Sequence, residues 1–202
     1  MEQKKEIRVF NADYEVRLLE GENGDVQVSG YAALFDHESR DLGFFETIDT
    51  RAFEGRLDDN VILTFNHDGN LILDRNQGGT LKLSVDERGL KYDATLPDTT
   101  TGRDVAELMR RGLLYESSFA FTVEDDEWSQ EDGKTKRTIN KIGRLYDVSI
   151  VGVGAYANTD VALRSMEEFE KNIEIEMKSN EKEKDLHQIN LLKNELTLKS
   201  KI

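Results

Sequence analysis

From Ile7 to Val151 the chain runs in short stretches where apolar and polar residues alternate, broken by clusters of glycine, asparagine and aspartate. A two-residue period interrupted this often is the pattern of half-buried strands joined by tight turns, and it holds the chain to a β-dominated fold. The expected strands are Ile7 to Leu19, Val26 to Phe35, Val61 to Asn66, Thr80 to Val85, Leu90 to Leu96, Ser117 to Glu124, Thr135 to Ile142 and Leu145 to Val151. Between them, Gly21-Glu22-Asn23-Gly24, Asp86-Glu87-Arg88-Gly89 and Glu131-Asp132-Gly133-Lys134 carry residues that tolerate positive φ or bond their own backbone. One helix is predicted from about Gly102 to Arg111, with a threonine cap available at Thr99 to Thr101 and Gly112 placed to end it. A shorter helical turn is predicted over Thr50 to Leu57.

The pattern changes near Ser165. From Met166 to Ile202 there is no glycine or proline and the only aromatic residue is Phe169, while charged residues of both signs are frequent. Such a segment has too little apolar surface for its own core, so residues 1–165 are read as the folded domain and 166–202 as a charged, partly helical or disordered tail. Leu186, Ile189, Leu192 and Leu196 fall near helical spacing, which fits either a docking helix or a frayed end.

Composition excludes several classes of function. The absence of cysteine removes disulfides and thiolate zinc sites. A formal net charge of −14 repels phosphate backbones, so nucleic acid and anionic membranes are not expected as partners. No apolar run is long enough to span a bilayer, and Met1-Glu2-Gln3-Lys4-Lys5-Glu6 lacks a signal peptide's apolar segment, so a cytoplasmic protein is expected.

With three histidines, His37, His67 and His187, the search for a general base is short. His67 follows the run Val61-Ile62-Leu63-Thr64-Phe65, at a strand end where scaffolds present reactive groups; the same position also suits a histidine that only terminates a strand by hydrogen bonding. His37 lies in a polar loop and His187 in the tail. Ser117-Ser118-Phe119-Ala120-Phe121 supplies candidate nucleophiles: if Phe119 and Phe121 face the core, Ser118 and Ala120 face the other side, which leaves Ser118 accessible. A serine hydroxyl needs a neighbouring base to become reactive, and without one both serines are ordinary strand residues. Asp147, among apolar strand residues, is costly to bury unless paired, either with a histidine ring or with Arg144 or a lysine.

Two further patterns fail on context. Gly152-Val153-Gly154-Ala155-Tyr156-Ala157 fits a loose dinucleotide-binding spacing, but Asn158-Thr159-Asp160 reads as a turn and no strand-helix-strand alternation surrounds it. His67, Asp68, His37 and Asp41 contain metal-ligating groups without any recognised ligand spacing. No cofactor and no metal are expected.

The ordered set Gly30-Tyr31-Ala32-Ala33-Leu34-Phe35, Glu46-Thr47-Ile48, Ala52-Phe53, Phe65-Asn66-His67-Asp68, Gly79-Thr80-Leu81, Gly89-Leu90, Arg111-Gly112-Leu113, Ser117-Ser118-Phe119-Ala120-Phe121, Asp147-Val148-Ser149-Ile150-Val151, Ala155-Tyr156 and Thr159 resembles the prohead, or capsid-maturation, serine proteases of tailed bacteriophages. That family is distantly related to the herpesvirus assemblins, so the resemblance implies a closed β-barrel core with flanking helices. It implies His67 as base, Ser118 as nucleophile and Asp147 as the acidic partner, although Ala120 and Arg51 stand where the family commonly has glycine and Gly154 where it has proline. It also implies a serine endopeptidase that cuts the scaffolding segment of the major capsid precursor, and itself, inside the immature prohead in the host cytoplasm, with a homodimer expected. The alternative is an inactive structural or scaffolding component of the head, with Ser118 and His67 far apart.

Overall fold

A computed structural model describes residues 4–9, 16–21, 25–35, 37–152, 162–175 and 178 of the chain. It divides into a unit of residues 1–161 and a second of residues 162–202. The first is mainly β. In chain order it contains β1 (Glu6–Val9), β2 (Val16–Glu20), β3 (Val26–Leu34), β4 (Phe45–Ile48), β5 (Ile62–Phe65), β6 (Ile72–Arg75), β7 (Lys82–Val85), β8 (Gly89–Thr95), α1 (Thr100–Arg110), β9 (Glu116–Glu131) and β10 (Lys134–Val151). In the second unit a helix, α2, spans residues 162–175. The helix expected around Leu186 to Leu196 lies outside the described residues.

The strands form two sheets among the described residues. One runs β1-β9-β10-β5-β6, with β4 also on β10, and the other runs β2-β3-β8-β7. The closed barrel implied by resemblance is not found: β1 and β6 end the larger sheet and β2 and β7 the smaller, and closure requires ladder hydrogen bonds between such ends.

The frame of the larger sheet is the β9–β10 hairpin. Asp132 and Gly133 both take positive φ, 51° and 75°, which is the two-residue turn whose twist suits paired strands. Sequence reading broke β10 at Gly143-Arg144, yet the strand is continuous and absorbs its irregularity in register shifts between Ile139 and Asp147. Its length lets two short strands pair in parallel on the same edge, β4 along Lys136 to Ile139 and β5 along Asp147 to Ile150.

Helix α1 begins where Thr99 accepts a hydrogen bond from the Gly102 N–H at 3.1 Å. It ends where Gly112, at φ 70°, lets its own N–H reach the Met109 carbonyl and the Leu113 N–H reach that of Leu108. Val105, Ala106 and Met109 are buried on its inner face. They join a core containing Phe53, Phe119 and Phe121, with the last two rings stacked 4.4 Å apart. Over Thr50 to Leu57 successive i→i+3 bonds, from Ala52 to Asp49 and from Glu54 to Arg51, form the expected helical turns.

The run Ile7 to Leu19 departs from expectation in its buried face. In β1 it is Glu6 and Arg8 that are buried, at 2% and 1% exposure, while Ile7 and Val9 are only partly covered. The reason is a set of buried partners. Arg8 bonds Glu6 and Glu46, and Arg137 bonds Glu6, Glu46 and Asp126. Burial works against the Arg137 guanidinium, but the Glu6, Glu46 and Asp126 carboxylates outweigh it and raise its pKa.

Candidate active site

The sheet register brings the candidate residues into one place. Val9 on β1 pairs with Ser118 on β9, Ser118 with Ser149 on β10, and Ser149 with Thr64 on β5, so one row crosses four strands. His67 stands two residues past the end of β5 and Asp147 two residues before Ser149, which puts the aspartate on the same face as Ser118 and Ser149.

His67 is presented by an unusual turn. Asn66 and His67 both occupy left-handed backbone, at φ 54° and 58°, a conformation costing about 1–2 kcal/mol per non-glycine residue. Asn66 fits because its main-chain N–H reaches the Ile150 carbonyl at 3.0 Å and its side-chain oxygen accepts from the Gly152 N–H at 3.0 Å. The turn lifts the imidazole over the sheet. There His67 Nε2 lies 2.7 Å from Ser118 Oγ, and Nδ1 contacts Asp147 Oδ1.

Asp147 also receives the Lys5 ammonium at 2.9 Å, while Arg144 lies over the Tyr146 ring. Burial raises the Asp147 carboxyl, but the hydrogen bond and charge of His67, then those of Lys5, outweigh it and hold the group below the usual carboxylate range. An ionised Asp147 accepts the Nδ1 proton of His67 and leaves the Nε2 lone pair facing Ser118. That is the orientation in which an imidazole can take a hydroxyl proton.

Ser118 has a second acceptor in reach, the Arg8 carbonyl at 2.7 Å. A hydroxyl carries one proton, so it cannot serve both at once. Ser118, expected to be accessible, is instead fully buried because β1 lies against it, and the His67 and Asp147 side chains are 7% and 4% exposed. The site is therefore covered on the β1 side.

Ser117 points to the opposite face. Its hydroxyl donates to the buried Tyr92 hydroxyl at 2.9 Å and lies 3.2 Å from the Ser149 carbonyl. Burial pushes the Tyr92 phenol well above its usual range. The structure thus brings Ser118, His67 and Asp147 together and leaves Ser117 out. The structural alternative expected Ser118 and His67 far apart, and they are in hydrogen-bond contact.

The remaining candidates lie elsewhere. His37 is exposed, Asp41 accepts from the Gly43 N–H, and Asp68 accepts from the Asn70 N–H in its own turn. No group of three or more metal-ligating side chains occurs among the described residues. The Gly152 N–H is committed to Asn66, and residues 153–157 and His187 lie outside the described residues. Sequence reasoning allowed a lysine partner for Asp147 without identifying Lys5, and it missed the Arg8 carbonyl. Lys5 is 142 positions from Asp147, and no local signal connects them.

No helix among the described residues is long and apolar enough to cross a membrane. No curated protein sequence matches the chain. Among solved structures it is similar to the capsid assembly protease gp21 of bacteriophage T4, at 12% identity and a TM-score of 0.48, covering 73% of this chain and 98% of that one. The family model described as caudovirus prohead serine protease matches residues 12–172, and by that match the chain belongs to this family.

Proposed function

We propose that the protein is a capsid-maturation endopeptidase working by acyl-enzyme chemistry, with Ser118 as nucleophile, His67 as general base and acid, and Asp147 as the group that orients and charge-stabilises the imidazole. The observation that carries this reading is the Ser118–His67–Asp147 line of contacts. As Ser118 Oγ bonds to the peptide carbonyl carbon, its proton passes to His67 Nε2 and Asp147 stabilises the imidazolium. The carbonyl oxygen takes the negative charge and then re-forms its double bond as the C–N bond breaks. His67 returns the proton to the departing amine. Water, deprotonated by the same nitrogen, then cleaves the ester and restores the serine.

With β1 in place the single Ser118 proton goes either to His67 or to the Arg8 carbonyl, and attack on a peptide starts from the arrangement in which His67 accepts it. The substrates under this reading are the scaffolding segment of the capsid precursor and the chain itself, inside the prohead in the bacterial host. Confinement there raises effective concentration, so weak intrinsic affinity suffices. A homodimer is part of the same reading, and the tail from Met166 either recruits the enzyme to the assembling shell or is removed by self-cleavage.

The test is co-expression with the capsid precursor of the same phage, read by intact mass. Wild type is expected to shorten the precursor and Ser118→Ala to leave it whole. A precursor left whole by both, in assembled shells, contradicts the reading.

A further inference from the structure

The residue at the crossing of the three triad-bearing strands is Ser149, which is fully buried. It pairs in register with Ser118 on β9 and with Thr64 on β5, two residues along β10 from Asp147. Its hydroxyl accepts the main-chain N–H of His67 at 2.9 Å and the hydroxyl proton of Thr64 at 3.1 Å, and it donates to the Thr64 carbonyl at 3.0 Å. One donor and two acceptor sites are what a serine hydroxyl has, and all are used, with the Ile150 carbonyl a longer second acceptor at 3.4 Å.

We propose that Ser149 is the positioning residue for the base: its hydroxyl clamps the His67 backbone in the left-handed conformation that spans the imidazole between Ser118 and Asp147. The proposal rests on the proteolytic reading of that site. Two consecutive left-handed residues relax toward commoner backbone unless their amides are held. Asn66 is held by Ile150 and Gly152, whereas the bond on the His67 amide comes from a side chain, Ser149 Oγ. Replacing Ser149 by alanine removes that acceptor without touching any group that meets substrate. The part-buried amide then loses its acceptor, and the turn can rotate to find another partner. A displacement of the imidazole by about 1 Å is enough to cost on the order of 100-fold in rate.

The test uses the full chain and reads the ring directly. The protein has three histidines, so in ¹⁵N-histidine-labelled protein the Nδ1 proton of His67 is assigned by its loss in His67→Gln. In wild type this proton, held by Asp147, is expected to exchange slowly. In Ser149→Ala it is expected to broaden or vanish while circular dichroism shows a folded protein, and processing of co-expressed capsid precursor is expected to fall about 10- to 100-fold. Ser149→Thr keeps the hydroxyl and is expected to retain the resonance. If the alanine variant does not fold, Ser149→Cys carries the test, since a thiol fills the space but accepts weakly. A folded Ala or Cys variant whose ring proton exchanges as in wild type overturns the proposal. If wild type shows the ring proton but processes nothing, the proteolytic reading fails, and the ring proton in the variants alone decides whether Ser149 positions His67.

Discussion

Two buried polar groups lie on opposite faces of the same sheet, and β1 contributes to both. Glu6 and Arg8 point to one face, where they meet Glu46 and Arg137; Lys5 reaches Asp147 on the other. Each group pays for its burial with close partners. They differ in what those partners can exchange. The Glu6–Arg8–Glu46–Arg137 group is built on guanidiniums, which stay protonated, and multiple carboxylates bridge them. It fixes strands. The Ser118–His67–Asp147 line carries a hydroxyl beside an imidazole, groups that can exchange a proton. Burial alone therefore does not mark a reactive site; the identity of the proton carriers does.

The comparison breaks most visibly at Asp147. Asp147→Asn removes the charge opposite His67 and favours the wrong tautomer, so precursor processing is expected to fall by about 10⁴-fold in a protein that still folds. On the other face the expected loss is of stability. Arg137→Met leaves Glu6 and Glu46, 2% and 0% exposed, with one guanidinium between them. Removing one partner of a buried ion set costs about 3–5 kcal/mol, which a urea midpoint will show.

A smaller effect separates the adjacent serines. Ser117→Ala strands the Tyr92 hydroxyl and is expected to lower stability by about 1–2 kcal/mol. The smallest effect is at Lys5, whose side chain is 42% exposed. The Asp147 carboxyl titrates below its ordinary range, so its contribution to stability is full above the ordinary carboxylate pKa and is lost as pH falls through its depressed native value. Lys5→Met removes one of the contacts that depress it. Its acid loss of stability is expected to begin at the same ordinary carboxylate pKa but to be smaller and complete at higher pH, the difference from wild type being under about 1 kcal/mol in urea unfolding between neutral pH and pH 3. An unchanged acid limb sinks that attribution.

These contrasts also show which features were legible in the sequence. Alternation located most strands, and Thr99 with Gly112 bounded α1, because each signal is local. β4 and β6 escaped because their patterns mislead: β4 buries Glu46 alongside Ile48, and β6 exposes Ile72 beside the buried Leu73. Gly143 read as a break, yet it lies inside β10 where its carbonyl accepts from Arg56 at 2.7 Å, a partner 87 positions away. The polar buried face of β1 inverted the usual rule for the same reason: Glu46 and Arg137 satisfy it from distant strands. His67, Ser118 and Asp147 were individually visible as a strand-end histidine, a serine on the face away from Phe119 and Phe121, and a costly aspartate. What joined them was family resemblance. The register that sets Ser149 beneath the His67 turn had no sequence signal at all.

The most direct test of the central claim sets the two adjacent serines against each other. Ser117→Ala and Ser118→Ala are each co-expressed with the capsid precursor, and the assembled shells are analysed by intact mass. If the face carrying His67 and Asp147 is the reactive one, Ser117→Ala shortens the precursor as wild type does, and Ser118→Ala leaves it whole. Shortening by Ser118→Ala, with loss of cleavage in a folded Ser117→Ala, would contradict the account.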